Sequence, residues 1–365
     1  RRQRQMCIRD RNIGLDMSFL NNRLTFTGDY FIRNTEGMLA DSYELPGVFG
    51  AKTPDENCAD LRTNGWELYL GWNDSFALMG KRFNYTVSAT LGDNKTVFTK
   101  FNNPEKNLSN HYEGKVLGEI WGYRVDGLFA SDEEAAEYTS KINQDAVNER
   151  ILTDKVDPYY RAGDLKFRDL DGDNVISKGD DTAYDAGDRE IIGNETPRYM
   201  YSFRLGADWN GFDLGIFFQG VGKRDWYPNY LSTGFWGPYS RAFTSFIPEN
   251  FMDQCWSEEN RDGYFPRFRG YQTFAGSQLG VNNDRYLQDA SYIRLKNLTV
   301  GYTLPVLKKV FTKLRVYFTG ENLWYWSPML KHTKYIDPEA AGGNGNTGMA
   351  YNYSRNFSVG VDITF

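Results

Sequence analysis

The clearest chemical signal in this chain of 365 residues is the run Asp169-Leu170-Asp171-Gly172-Asp173-Asn174-Val175-Ile176. Carboxylates at every second position of a tight loop can converge on one hard cation. A backbone carbonyl at Val175 and a carboxylate at Asp180 then fall at the seventh and twelfth positions of an EF-hand-type loop. The fit is incomplete, because Asn174 stands where that loop carries Gly and Asp180 where it carries Glu. Asn tolerates left-handed backbone geometry, so the turn survives. The candidate metal ligands are therefore Asp169, Asp171, Asp173, Val175 and Asp180, with Ca2+ as the cation. The competing reading is an acidic solvated turn that binds no metal.

A second cluster is aromatic. Trp226, Tyr227, Tyr230, Phe235, Trp236 and Tyr239 lie in the stretch Lys223–Asp289, with Asp225, Asn229 and Arg241 interleaved. Flat rings beside hydrogen-bonding groups suit the apolar faces and hydroxyls of sugars, and Arg or Asn can equally hold peptide carbonyls. Trp226, Tyr227, Tyr230, Trp236 and Tyr239 are the candidate substrate-binding residues. Loop packing and an interfacial aromatic belt are the competing readings.

Catalytic chemistry finds little support, and the chain does not read as an enzyme. His111 and His332 are the two histidines, too few for most zinc sites or triads, and both read as loop residues. Cys7, Cys58 and Cys255 are odd in number and widely spaced, which supports neither a disulfide framework nor a CxxC metal site. Glu133, Glu134 and Glu137 read as a solvated helix face. Lys and Arg total 42 against 48 Asp and Glu, a net charge of −6, so no basic excess exists to neutralise phosphates and nucleic acid is not an expected partner.

The elements that must position these groups have a period of two. Ile13, Leu15, Met17 and Phe19 alternate with polar residues, Asn21-Asn22 supplies turn chemistry, and Leu24, Phe26, Gly28, Tyr30 and Ile32 answer on the return. The pattern recurs at Trp66–Trp72 and Phe83–Leu91, joined near Gly80. It is clearest at Tyr199–Ala207 and Phe212–Phe218 around Asn210-Gly211, the strongest short hairpin signal. Further strands are expected at Gly118–Val125, Tyr292–Leu304, Leu314–Asn322 and Arg355–Phe365, about ten in all. Ser131-Asp132-Glu133-Glu134 resembles a capping box opening a short helix. The Gly-rich stretch Gly342–Gly348 reads as a flexible loop.

Two architectures share this alternation: a soluble β-sandwich and a transmembrane barrel with its apolar face on lipid. Aromatics make up 16% of the chain while its mean hydropathy is −0.61. No apolar stretch of about 20 residues exists for a transmembrane helix. A barrel strand exposes only alternate residues to lipid, which reconciles the two numbers. Minimal turns at one end and long insertions such as Lys223–Asp289 at the other favour the barrel. Phe357, Val359, Val361, Ile363 and Phe365 add a final strand closing on an aromatic.

Several segments together carry a family resemblance. NIGLDMSFLNNRLTFTGDYFIRNTEGML (Asn12–Leu39), GDLKFRDLDGDNVISKGDD (Gly163–Asp181), REIIGNETPRYMYSFRLGADWNGFDLGIFFQG (Arg189–Gly220), YLQDASYIRLKNLTVGYTLP (Tyr286–Pro305) and RVYFTGENLWYWS (Arg315–Ser327) resemble, in order and spacing, motifs of SusC/RagA-type TonB-dependent transporters. The resemblance implies an all-β chain forming the C-terminal part of a roughly 22-stranded antiparallel transmembrane β-barrel in the outer membrane of a Gram-negative, Bacteroidetes-type bacterium. About ten strands with long extracellular loops do not close such a barrel on their own.

It also implies import of oligosaccharides or peptides with a SusD-like surface lipoprotein as lid and the TonB–ExbB–ExbD complex as energy source, coupled through a plug this chain does not contain. Related transporters carry a DxNGDG run similar to the Asp169 loop, which adds to the Ca2+ reading. Residues 1–11, with five Arg and no apolar run, are set aside from the fold as a non-native leader. Residues 12–365 are taken as barrel segment. The alternatives are a TonB-dependent siderophore receptor and a soluble β-rich carbohydrate-binding module.

Overall fold

The computed structural model describes residues 6–41, 55–147, 159–240, 247–269, 278–305, 312–341 and 352–365. In chain order the strands are β1 (Cys7–Phe19), β2 (Leu24–Asp41), β3 (Asp55–Leu78), β4 (Lys81–Lys100), β5 (Glu119–Tyr123), β6 (Val125–Leu128), β7 (Leu165–Phe167), β8 (Arg189–Asn194), β9 (Arg198–Trp209), β10 (Phe212–Lys223), β11 (Asp225–Trp226), β12 (Gln288–Asp289), β13 (Tyr292–Leu304), β14 (Lys313–Trp326) and β15 (Asn356–Thr364). Nine of them form one open antiparallel sheet in the order β1-β2-β3-β4-β9-β10-β13-β14-β15. The remaining six pair off as β5-β8, β6-β7 and β11-β12. The expected strand around Gly118–Val125 thus exists, but as two short pieces outside the large sheet.

Local chemistry places the tight turns. Asn210 and Gly211 have φ of 48° and 90°, and Met79 and Gly80 have 50° and 70°, the double positive-φ signature of a type I′ turn. Leu20, Asn21 and Asn22 are all left-handed between β1 and β2. The other ends carry long connections, 101–197, 224–291 and 327–355.

Register makes the two faces of the sheet chemically different. Tyr85, Ala207, Leu214, Val300, Phe318 and Val359 are successive cross-strand partners, and so are Phe83, Trp209, Phe212, Tyr302, Val316 and Val361. These apolar rows lie open, with Val359 77% and Val361 55% exposed. The opposite rows are polar: Asp16 pairs with Thr27, Thr86 with Gly206, and Arg315 with Asp362. On that face Arg315 makes paired hydrogen bonds to Asp213 at 2.8 and 2.6 Å and a third to Asp362 at 3.1 Å.

Pairing extends through Cys7–Arg11, which partner Glu36–Ile32 of β2. The stretch set aside at the sequence level is therefore partly sheet, because an antiparallel edge strand is held by backbone bonds whatever its side chains. Pairing bears on its conformation, not its origin.

The close-packed core lies in the long connections instead of the sheet. Tyr123, Leu165, Phe167 and Ile176 from the first connection pack with Trp226, Phe235, Trp236, Tyr239, Phe265 and Tyr286 from the second and Met329 and Ile336 from the third. These three connections form one crown. A bulge at Lys296 ties it to the sheet, since adjacent Phe217 and Phe218 of β10 pair with Asn297 and Leu295 of β13 and leave Lys296 between them unpaired. The extra residue re-aims the strand. Lys296 Nζ then reaches both Glu339 oxygens at 2.8 Å, and the buried Arg294 pairs with the buried Asp337.

Candidate functional site

The acidic loop leaves β7 and returns to β8. Asp169 Oδ1 accepts from the Gly172 amide at 2.7 Å and Oδ2 from the Asn174 amide at 3.0 Å. Asp171 and Asp173 cap the amides two residues on, at 3.1 and 2.6 Å. Asn174 has φ of 67°, the left-handed geometry expected where Gly is usual. The Asn174 carbonyl and the Ile176 amide bond Asn143, which docks the loop against the end of the first connection's short helix segment.

Three carboxylates here offer oxygens within 4.8 Å of one another: Asp169, Asp171 and Asp188. The set differs from the sequence set. Asp173 and Asp180 are exposed and stand outside this group, while Asp188, eight residues beyond Asp180, enters it. Two backbone amides hold Asp188 in place, Leu170 N at 2.7 Å and Ser177 N at 2.8 Å. The residue is fully buried. Burial, and then the nearby Asp171 and Asp169 charges, push its carboxyl above the usual carboxylate range, against the two amide bonds that lower it. An all-oxygen set with a buried member charged against its neighbours suits a hard divalent cation, which would remove that repulsion. No spacing rule pointed to Asp188. The one signal was an isolated Asp preceding a strand.

The aromatic cluster resolves differently. Trp236 and Tyr239 are 0% exposed and Trp226 is 1%. Trp236 stands edge-on to Phe235 at 4.7 Å and to Tyr286 at 5.1 Å, and its indole N–H donates to the Pro228 carbonyl at 2.9 Å. The Tyr239 hydroxyl donates to the Pro266 carbonyl at 2.6 Å, and the Tyr227 hydroxyl to the Val281 carbonyl at 2.9 Å. These rings are the hydrophobic core of the crown. A ring with no exposed surface cannot stack on a sugar, so Trp226, Trp236 and Tyr239 do not form a substrate platform in this structure. Of the five candidates, Tyr230 alone is exposed and Tyr227 is partly so. Arg241 lies outside the described residues, as does Gly342–Gly348.

The capping box holds in altered form in the helix α1 (Asp132–Thr139). Ser131 Oγ accepts the Glu134 amide at 3.2 Å, but Glu134 reaches back to Ala130 N and to Lys166, not to the Ser131 amide. The two histidines are both in connections. His332 stacks on Tyr264 at 3.6 Å, and burial first, then Lys331 and Arg285, depress its pKa to about 4. All three cysteines are free thiols.

An open antiparallel sheet with one continuous apolar face, tight turns at one end and a packed crown at the other is the wall of an outer-membrane-type β-barrel. Comparison with known proteins sharpens the class. No protein-family model matches the chain. It is 27% identical to the TonB-dependent receptor P3 of Formosa agariphila over 97% of its own length and 34% of that protein's. It is 22% identical to the TonB-dependent receptor SusC of Bacteroides thetaiotaomicron, again over 97% of its length, and 31% of SusC. Among solved structures, the RagAB peptide transporter aligns with a TM-score of 0.66 at 23% identity, over 98% of this chain and 35% of that one.

The chain is thus a relative of SusC/RagA-type TonB-dependent transporters and has the fold of their C-terminal barrel portion. It spans about a third of the length of the curated relatives it matches.

Proposed function

We propose that this chain is part of the barrel wall and the outer crown of an outer-membrane importer that works with the TonB–ExbB–ExbD complex and a SusD-like surface lipoprotein. The carrying observation is the unbroken apolar face across nine strands, opposite a polar face held by Arg315–Asp213–Asp362. A crossing takes about 9–11 residues. β2, β3 and β4 have 18, 24 and 20, so their far halves stand beyond the apolar rows and support the crown. The cargo is an oligosaccharide or a peptide; RagAB, whose fold this chain resembles, is a peptide transporter.

Within the crown, the Asp169–Asp188 loop binds Ca2+ through Asp169, Asp171 and Asp188, a structural ion that neutralises the buried carboxyl. The decisive experiment is fractionation and uptake. The full-length protein should enter detergent-extracted outer membranes, and uptake of its nutrient should stop when TonB is deleted. Recovery in the soluble fraction, or uptake independent of TonB, refutes the reading and favours a soluble carbohydrate-binding module.

A further inference from the structure

A cleft of about 400 Å³ opens between the far wall of the acidic loop and β5. That is within the ~300–1,000 Å³ typical of small-ligand sites. From β5 it takes Glu119, Ile120 and Trp121, from the loop Asp181, and from the start of β8 Arg189. Ser109, Lys115, Glu195 and Asn282 complete its polar lining.

Most of the charge is already paired. Glu119 accepts from the Tyr112 hydroxyl, from the Trp121 indole N–H at 3.0 Å and from the Val116 amide at 3.1 Å. Asp181 pairs with Arg189 at 2.7 Å. While Lys115 and Glu195, one cation and one anion, make no ion pair among the described residues, these bonds satisfy Glu119, Asp181 and Arg189. They also pin Trp121, a partly exposed indole, in one orientation through its N–H. What stays open is the Glu195 carboxylate, which accepts no hydrogen bond among the described residues, the Asn282 amide oxygen, and N–H groups of Lys115 beyond the one donated to the Asn110 carbonyl at 3.0 Å, a set with no net charge. A peptide would want a free strand edge. β5 instead pairs with β8 on one side and is bridged at Tyr123 to Asn283 on the other.

From the fixed aromatic face and from open acceptors and donors whose one anion and one cation balance, we infer that this cleft is a subsite for a neutral oligosaccharide. It takes one sugar against Trp121, with hydroxyls bonded to Glu195, Asn282 and Lys115. The inference rests on the import reading and selects the glycan as its cargo. The test is binding to detergent-purified full-length protein, which needs neither TonB nor uptake, using a panel of neutral hexaoses with α-1,4, β-1,4 and β-1,3 glucosyl, β-1,4 xylosyl and β-2,6 fructosyl linkages, alongside tryptic peptides. At least one glycan should bind, Trp121→Ala should weaken it about tenfold, and Glu195→Gln a few-fold. Trp121→Phe, which keeps a ring, should recover part of the loss and guards against misfolding in the Ala variant. Binding of peptides alone, binding of nothing in the panel, or a glycan affinity unchanged in Trp121→Ala overturns the inference. Loss of TonB dependence would instead strike the import reading and leave the binding result standing.

Discussion

Replacing Trp236 with Ala separates the packing role of the aromatic cluster from a substrate role. The ring is 0% exposed and is enclosed by Phe235, Phe265, Tyr286 and Tyr227. Buried Trp→Ala changes cost about 3–5 kcal/mol through lost transfer energy and the cavity left behind. Removing the indole N–H also orphans the Pro228 carbonyl, at roughly 1 kcal/mol or more. A penalty near 4 kcal/mol confined to the crown corresponds to about a thousandfold more frequent local opening. Hydrogen exchange on the full-length protein in detergent reads this directly. Amides of Trp226, Phe235, Phe265 and Tyr286 should lose protection by about that factor, while those of Leu205, Val300 and Phe318 in the sheet keep theirs. If the crown amides retain wild-type protection while ligand binding falls, the ring is a ligand contact and the core reading is wrong.

The two faces of the last strand should respond oppositely to charge: Val359→Arg should cost about 2–4 kcal/mol of barrel stability on the apolar face, and Ser358→Arg far less, as measured by urea unfolding in lipid. Equal costs would refute the face assignment. Calcium should raise the melting temperature of the crown and protect its amides, Asp188→Asn should abolish that response, and binding should weaken as pH falls, because the raised Asp188 carboxyl takes up a proton in competition with the ion. A calcium response unaltered by Asp188→Asn would exclude the proposed ligand set. His332 is held neutral by its surroundings, with a folded pKa of about 4 below an ordinary value of ~6.5. Its contribution is therefore present above the ordinary value and is lost as pH falls toward 4, about 2 kcal/mol after allowing for partial exposure. His332→Phe should flatten the crown's acid-destabilisation profile between those limits, and an unchanged profile would dismiss the mechanism.

Much of the sheet was legible in the residues because strand pairing here obeys local rules. Alternation assigns each side chain to a face, and Asn210-Gly211 specifies a two-residue turn by its own φ preferences, so β9 and β10 follow almost residue by residue. β13 was readable to its ends for the same reason. The acidic loop was equally local: Asp169, Asp171 and the left-handed Asn174 behave as their spacing dictates.

What the chain alone did not disclose is set by contacts between distant segments. Asp188 joins the carboxylate cluster because β8 brings the chain back beside Leu170 and Ser177, a closure that no spacing rule contains. Trp226 and Trp236 read the same in sequence whether they face a ligand or a core. Burial was decided by the first and third connections, whose Phe167, Ile176, Met329 and Ile336 cover them. Composition and period determined that this chain makes a two-faced antiparallel wall. Only the tertiary fold decided which rings and carboxylates remain open to a ligand, because desolvation depends on what packs from outside the motif.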